Sequence, residues 1–205
     1  VKEHISVFNT GVSGATTRDI IRDFNICVNI YDPDIVFIML GMNDSSNEIV
    51  PLEEYRKNIL ELINKVREIG AIPILQTSNI IKMDLSRKSL KFYMDILREV
   101  VRENDVMLID HYSHWGELEK ENSNIKNEFL SDLIHPNEKG HLEIVKFIFN
   151  ELDIFEEDSY TCNLSYPIKA ENYFEGKVHS KYNQEIFNTI SNKTSLQEEL
   201  IKSNK

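Results

Sequence analysis

The chain has 205 residues, 41% of them hydrophobic, enough to bury one good core and better suited to one domain with an appendage than to two full domains. Its formal net charge of -11 disfavours nucleic acid or an anionic membrane as the main partner, because both are bound by clustered Lys and Arg. No apolar run approaches the length of a membrane-spanning helix and no targeting peptide is visible. The two cysteines, Cys27 and Cys162, lie far apart without metal-ligand or C-x-x-C spacing, so two buried free thiols are expected.

Taken in chain order, residues 4–8 read as a short strand that ends at Asn9-Thr-Gly11. A helical pattern follows over residues 16–30, with Ile20, Ile21, Phe24 and Cys27/Val28 on one face. Residues 34–41 hold a continuous apolar run rich in β-branched side chains, which predicts a central parallel strand buried on both faces. After Pro51, Tyr55, Ile59, Leu62, Ile63 and Val66 recur at helical spacing until Gly70 supplies a stop. A strand over 72–76, a helix over 87–103 and a short strand over 106–109 come next. A helix around 114–121 then leads into a loop, and an amphipathic helix over 138–152 closes the series.

Strands alternating with helices of ten or more residues specify an α/β domain with a parallel sheet. Beyond Asp153 the pattern fades: residues 155–181 are polar and irregular, and 184–202 could form one polar helix. The expected division is therefore a domain over 1–152 and a polar tail, or the start of another module, over 153–205.

In an open parallel sheet, reactive groups collect outside the carboxyl ends of the strands. Three polar clusters fall there: Asn9-Thr-Gly11-Val-Ser13-Gly14, Gly41-Met-Asn43-Asp44, and Ser131-Asp132-Leu-Ile-His135-Pro136-Asn137. A histidine acting as general base needs its Nδ1–H fixed by a carboxylate so that Nε2 faces the nucleophile, and Asp132 stands three residues before His135. The same residues also suit an ordinary loop before a helix, with Asn137 as N-cap and Asp132 solvated. An acyl-transfer site needs donors for the developing oxyanion, and the Asn43 amide with the Gly11 N–H could supply them. Each cluster alone is equally compatible with plain turn chemistry. His111, His114 and Trp115 lie just past a strand end, where they could line a substrate pocket, though a helix start with an aromatic packed beneath it explains them better. His4, His141 and His179 show no metal-ligand spacing.

Taken together, the clusters resemble the SGNH hydrolases, the GDSL-type esterases and lipases. Asn9-Thr-Gly11-Val-Ser13-Gly14-Ala-Thr-Thr is similar to the family's second block, Gly41-Met-Asn43-Asp44 to its G-x-N-D block, and Asp132-Leu-Ile-His135-Pro136-Asn137 to its D-x-x-H-P block. The resemblance covers roughly residues 1–152 and implies a three-layer α/β/α, flavodoxin-like parallel sheet. It implies Asp132 and His135 as catalytic residues and Gly11 and Asn43 as the oxyanion hole. It implies a small acyl-ester substrate such as an acetylated carbohydrate, with no metal or organic cofactor. The family's G-D-S block, which carries the nucleophilic serine on a central strand, has no match in the sequence and is expected upstream of it. Without that strand the chain alone is expected to be inactive and unstable. Ser13 corresponds to a family serine that is not the nucleophile, and Glu157-Asp158-Ser159 would serve only in a circular permutant. The rival expectations are an SGNH-like binding or scaffold module that has lost its nucleophile, and a ligand-binding flavodoxin-like domain. The latter needs a phosphate-cradling Gly-rich loop, and none follows the strands.

Overall fold

The computed structural model describes residues 6–83 and 85–155. All of these but 6–8 belong to one compact unit, Asn9–Asn163. Its centre is a parallel sheet of order β1-β2-β3, with β1 at Ile35–Met39, β2 at Ile72–Gln76 and β3 at Met107–Ile109. Parallel neighbours require a crossover, and each crossover here is a long helix: α3 (Leu52–Glu68) between β1 and β2, and α4 (Leu90–Asn104) between β2 and β3.

Both helices are amphipathic, and their apolar stripes make the core. Tyr55, Ile59, Leu62, Ile63 and Val66 of α3 are buried, as are Leu90, Tyr93, Met94, Leu97, Val100 and Val101 of α4. They close over the sheet face that carries Ile38 and Leu75, with Val36 and Leu108 partly buried beside them. Full burial of each such aliphatic side chain contributes about 1.5–3 kcal/mol, which is why this face is sealed. The Tyr93 hydroxyl, carried inside with its ring, donates to the Val50 carbonyl at 2.6 Å.

On the other face, α7 (Glu138–Glu151) lies beside β3, with the Phe147 ring edge-on to His111 at 5.4 Å. The helices α5 (His111–Glu121) and α6 (Ile125–Phe129) enclose a second apolar cluster of Ile80, Trp115, Ile125 and Leu130. The architecture is thus α/β/α, as expected.

Several expectations need correction. β1 is not buried on both faces. It is the edge of the described sheet, and Ile35, Phe37 and Met39, which alternate with the core-facing Val36 and Ile38, are 48%, 45% and 39% exposed. The helix expected over 16–30 is broken into α1 (Thr17–Arg22), α2 (Phe24–Cys27) and a 3-10 turn at Asn29–Tyr31. Asp23 both ends α1 and starts α2 with φ -100 and ψ 15, and the side-chain amide of Asn29 bonds Asn25 Oδ1 at 2.8 Å. The apolar face survives the break: Phe24 is buried, and Ile20, Ile21 and Val28 pack on the core. Cys27 is a free thiol but only half-buried.

α4 begins at Leu90, after a 3-10 turn at Leu85–Arg87. α5 starts earlier than expected because Asp110 caps it, accepting from Ser113 N–H at 3.1 Å. The short α6 occupies part of what reads as loop. Residues 6–8 carry no regular structure, and the rest of the strand expected over 4–8, Cys162, His4, His179, Glu157-Asp158-Ser159 and the tail from 156 onward lie outside the described residues.

Candidate active site

The chain leaves β1 through Gly41-Met-Asn43-Asp44, and Gly41 is there for a steric reason. Its φ is +117, and a Cβ would stand 2.7 Å from the Tyr55 hydroxyl and 2.9 Å from Met94 Cε. The turn is closed by Ser45 N–H to Gly41 O and by Ser46 N–H to Asn43 O, both at 3.0 Å. Asp44 is fully buried. Its Oδ1 accepts from the Thr17 N–H at 3.0 Å and from the Thr17 hydroxyl at 2.6 Å, and Asn58 Nδ2 donates to that hydroxyl at 2.9 Å. Asn43 Nδ2 donates to the Ala15 carbonyl at 2.9 Å. Residues 15–17 are therefore stitched to the turn after β1. Thr16 sits at the N-cap of α1, where its N–H and hydroxyl both donate to Asp19.

Three features of this half matter chemically. One amide hydrogen of Asn43 is committed to Ala15, which leaves the second free to turn to a ligand. The Gly11 N–H donates to Asn9 Oδ1 at 3.1 Å within its own loop. Burial pushes the Asp44 carboxyl up from the ordinary carboxylate range, against the lowering effect of the Thr17 bonds, and its Oδ2 has no partner among the described residues. Only the place of Asp44 in the G-x-N-D block hints at this structural duty.

The other half lies before α7. His135 Nδ1 and Asp132 Oδ2 are 2.7 Å apart, so with its proton on Nδ1 the ring donates to the carboxylate and leaves Nε2 as the basic atom. Asp132 Oδ1 in turn accepts from the N–H groups of His135 at 2.7 Å and Ile134 at 2.8 Å. The backbone bond from His135, then its ring, then the Ile134 N–H hold the Asp132 carboxyl well below the usual carboxylate range, so it stays ionised. Ser131 N–H donates to the His135 carbonyl at 2.9 Å, and Leu130 pairs with Pro136 in an antiparallel bridge. Asn137 is the N-cap of α7, accepting from Gly140 N–H at 3.1 Å. The N-cap at Asn137 and the contact of Asp132 with His135 are thus both present, made by different residues of one segment.

Among the described residues, no hydrogen bond joins Gly11 or Asn43 to Asp132 or His135; one half is assembled on the loop before α1 and the turn after β1, the other on the loop before α7. The segment leaving β2 reaches the dyad loop instead: Asn79 Nδ2 donates to Ile134 O at 3.1 Å, and Lys82 N–H donates to Leu133 O at 2.8 Å. Arg87 Nε donates to Met42 O at 3.2 Å, touching the turn that carries Asn43. Sequence reasoning missed Asn79, Lys82 and Arg87, since such contacts depend on tertiary geometry.

His111 and Trp115 pack in the interior, as the packing explanation expects. His111 is fully buried with Nε2 2.9 Å from Gln76 Oε1, and burial, aided by the nearby His114, pulls its pKa down to about 4. His114 stacks on Phe147 and pairs with Glu143 at 2.7 Å. Beside them, burial pushes the Asp110 carboxyl up, but the Arg98 guanidinium and Ser113 outweigh it and hold the group at about 2. Among the described residues no group of three or more His, Cys, Asp and Glu is arranged to hold a metal ion, and no helix is long and apolar enough to cross a membrane.

The chain is similar to proteins that include ester hydrolases. Acetylxylan esterase of Geobacillus stearothermophilus is 25% identical over 160 residues, covering 72% of this chain and 72% of that protein. An uncharacterized lipoprotein of Bacillus subtilis (strain 168), YqeF, is 28% identical over 160 residues, covering 65% of this chain and 66% of its own length. Among solved structures, LAE5, an alpha/beta hydrolase enzyme from the metagenome of Lake Arreo, Spain, superposes with a TM-score of 0.63 at 26% identity, over 70% of this chain and 71% of that one. The acetyl xylan esterase AlAXEase superposes with a TM-score of 0.64 over 68% of this chain and 77% of its own, at 18% identity, and so speaks for the fold alone. The family model described as GDSL-like Lipase/Acylhydrolase matches residues 2–142, well over half of the sequence, and the chain belongs to that family.

Proposed function

We propose that the protein is a serine ester hydrolase of the esterase type, in which Asp132 and His135 do the acid–base work and Gly11 and Asn43 stabilise the oxyanion. The observation that carries this reading is the 2.7 Å contact of His135 Nδ1 with a carboxylate that two backbone N–H groups keep ionised. A ring held in this way presents Nε2 outward. It can take a proton from an attacking hydroxyl and return it to the leaving alcohol, while Asp132 stabilises the imidazolium formed between the two steps. Collapse of the tetrahedral intermediate then breaks the ester C–O bond, and water resolves the acyl group by the same route. The nucleophile in this reading is the serine of the family's G-D-S block. The second N–H of Asn43 faces the oxyanion together with Gly11, once Gly11 turns from Asn9.

A small acyl ester, and within that class an acetylated carbohydrate, is the proposed substrate, on the likeness to an acetylxylan esterase. The test, made with protein that also carries the G-D-S serine, is hydrolysis of p-nitrophenyl acetate and release of acetate from acetylated xylo-oligosaccharide. Both are expected, with loss on the order of 10⁴-fold or more in His135→Ala. Hydrolysis that survives that substitution overturns the mechanism.

One observation favours a second reading, an SGNH-like binding module. The Gly11 N–H and one Asn43 hydrogen are already engaged by the chain's own oxygens. Calorimetric binding of acetylated oligosaccharide without any turnover would favour that reading over the first.

A further inference from the structure

We infer that Asn79 is a positioning residue for the Asp132–His135 pair: a buried amide strap that ties the dyad loop to the segment leaving β2. This rests on the ester-hydrolase reading for its catalytic consequence, but not for its structural one.

The dyad itself is open to solvent, with side chains 68% exposed at His135 and 53% at Asp132, so packing does not fix it. Most of what shapes its loop is local. Asp132 Oδ1 accepts from residues two and three positions on, and Ser131 bonds the His135 carbonyl through both its N–H and its hydroxyl. Such contacts set the shape of the turn but not its place on the sheet. Leu130 anchors one end in the apolar cluster with Ile80 and Trp115. Between Leu130 and Pro136 two further ties cross to another element: Lys82 N–H to Leu133 O at 2.8 Å, and Asn79 Nδ2 to Ile134 O at 3.1 Å.

Of these, Asn79 is the tie made by a side chain, and its surroundings suit a fixed strut. The residue is 5% exposed, and the same Nδ2 donates to the Ile80 carbonyl at 2.8 Å. Its amide nitrogen therefore serves two carbonyls at once, which defines its orientation and makes it costly to leave either unpaired. Ile134 is the residue immediately before His135, and its N–H already binds Asp132 Oδ1. A shift of the Ile134 peptide moves the ring and the carboxylate together, and displacements near 1 Å at a reacting group cost roughly 10²-fold in rate.

The experiment uses the 15N-labelled protein and two variants, Asn79→Asp, which keeps the shape but removes both N–H donors, and Asn79→Ala. The readout is the low-field Nδ1–H resonance of His135, identified by its absence in His135→Ala. Wild type is expected to show it. Both variants are expected to lose it or to exchange it with water at least ~10-fold faster, as the pair with Asp132 loosens. The imidazole signals of His111 and His114, held by Gln76 and Glu143, are expected to stay in place and so report that the fold is intact. If His111 and His114 keep their signals and the His135 resonance is also unchanged, the proposal is overturned. Should Asn79→Ala fail to fold, the isosteric Asn79→Asp decides alone.

With p-nitrophenyl acetate, kcat is expected to fall about 10-fold or more in Asn79→Asp while KM changes less than about 2-fold, the split of a misplaced base rather than of lost binding. An unaltered kcat in a His135-dependent enzyme would overturn the catalytic part. Absence of hydrolysis in wild type that carries the G-D-S serine would instead sink the ester-hydrolase reading, and the resonance would still decide the role of Asn79.

Discussion

The two halves of the proposed site are held by opposite means. On the β1 side, Asp44 is fully buried and binds the first residue of α1 through both the N–H and the hydroxyl of Thr17, so site and fold share the same bonds. On the α7 side, Asp132 and His135 stand in solvent on a turn that they partly build themselves. Changes to the first half should therefore damage folding and activity together, whereas changes to the second should separate them. The largest separation is expected at His135. His135→Ala should remove esterase activity on the order of 10⁴-fold, while its melting temperature, followed by circular dichroism, stays within about 2 °C of wild type. A comparable fall in melting temperature would mean that the exposed half carries structural weight after all.

Asp44→Ala probes the opposite half. It leaves the Thr17 N–H and hydroxyl without their buried acceptor, so urea unfolding should show a loss of about 3 kcal/mol. Activity should fall with it, because the Ala15 carbonyl that holds Asn43 sits two residues from Thr17. Asp44→Asn should be milder. It keeps an oxygen for Thr17 and removes a charge whose burial is unfavourable, in line with the raised carboxyl. Equal damage in both variants would show that the charge itself is what holds the segment.

Much of this was legible in the sequence where one physical cause acts alone. Helix α3 could be read from a single stripe, because Tyr55, Ile59, Leu62, Ile63 and Val66 all face one core. β2 matches its expected limits because its apolar run is bounded by Gly70 and a polar segment. The contact of Asp132 with His135 was legible because the two stand three residues apart. What the sequence could not reveal depends on residues distant along the chain. Phe37 is exposed because it points to the face of β1 opposite the core cluster that holds Val36 and Ile38, a matter of tertiary packing rather than of the apolar run. The interruption at Asp23 leaves the apolar periodicity intact and so escapes any reading based on that period. Asn79 meets Ile134 across 55 positions, and nothing in either residue announces the other.

The same contrast of burial separates the histidines, and pH sharpens it. His111, buried beside Gln76, has its pKa lowered from the model-peptide value of 6.5 to about 4. As pH falls below 6.5, the unfolded chain takes up a proton at this position and the folded protein does not, so stability declines. The decline stops once pH drops through 4, where the folded form protonates as well. Over that window the contribution is on the order of 3 kcal/mol. In His111→Gln, denaturant midpoints measured from pH 7 to pH 4 should fall less steeply than in wild type, whatever the absolute stability of the variant. Asp110, held at about 2, titrates below this window and does not mask it. Parallel slopes in the two proteins would show that His111 is not held neutral.

The smallest effect is expected at Ser131, and its smallness is informative. The hydroxyl donates to the His135 carbonyl at 3.1 Å, but the Ser131 N–H donates to the same oxygen at 2.9 Å. Ser131→Ala removes one of two bonds to an acceptor that stays satisfied, in a position open to water that can replace the loss. Kinetics with p-nitrophenyl acetate should therefore change by less than about 3-fold, equivalent to under ~0.7 kcal/mol. The comparison with Asn79→Asp is what matters: both substitutions remove hydrogen bonds within the same loop, one local and duplicated, the other buried and reaching across from β2. A larger loss at Ser131 than at Asn79 would mean that the dyad is fixed by the turn it sits on, and that the exposed half of the site needs no support from the sheet.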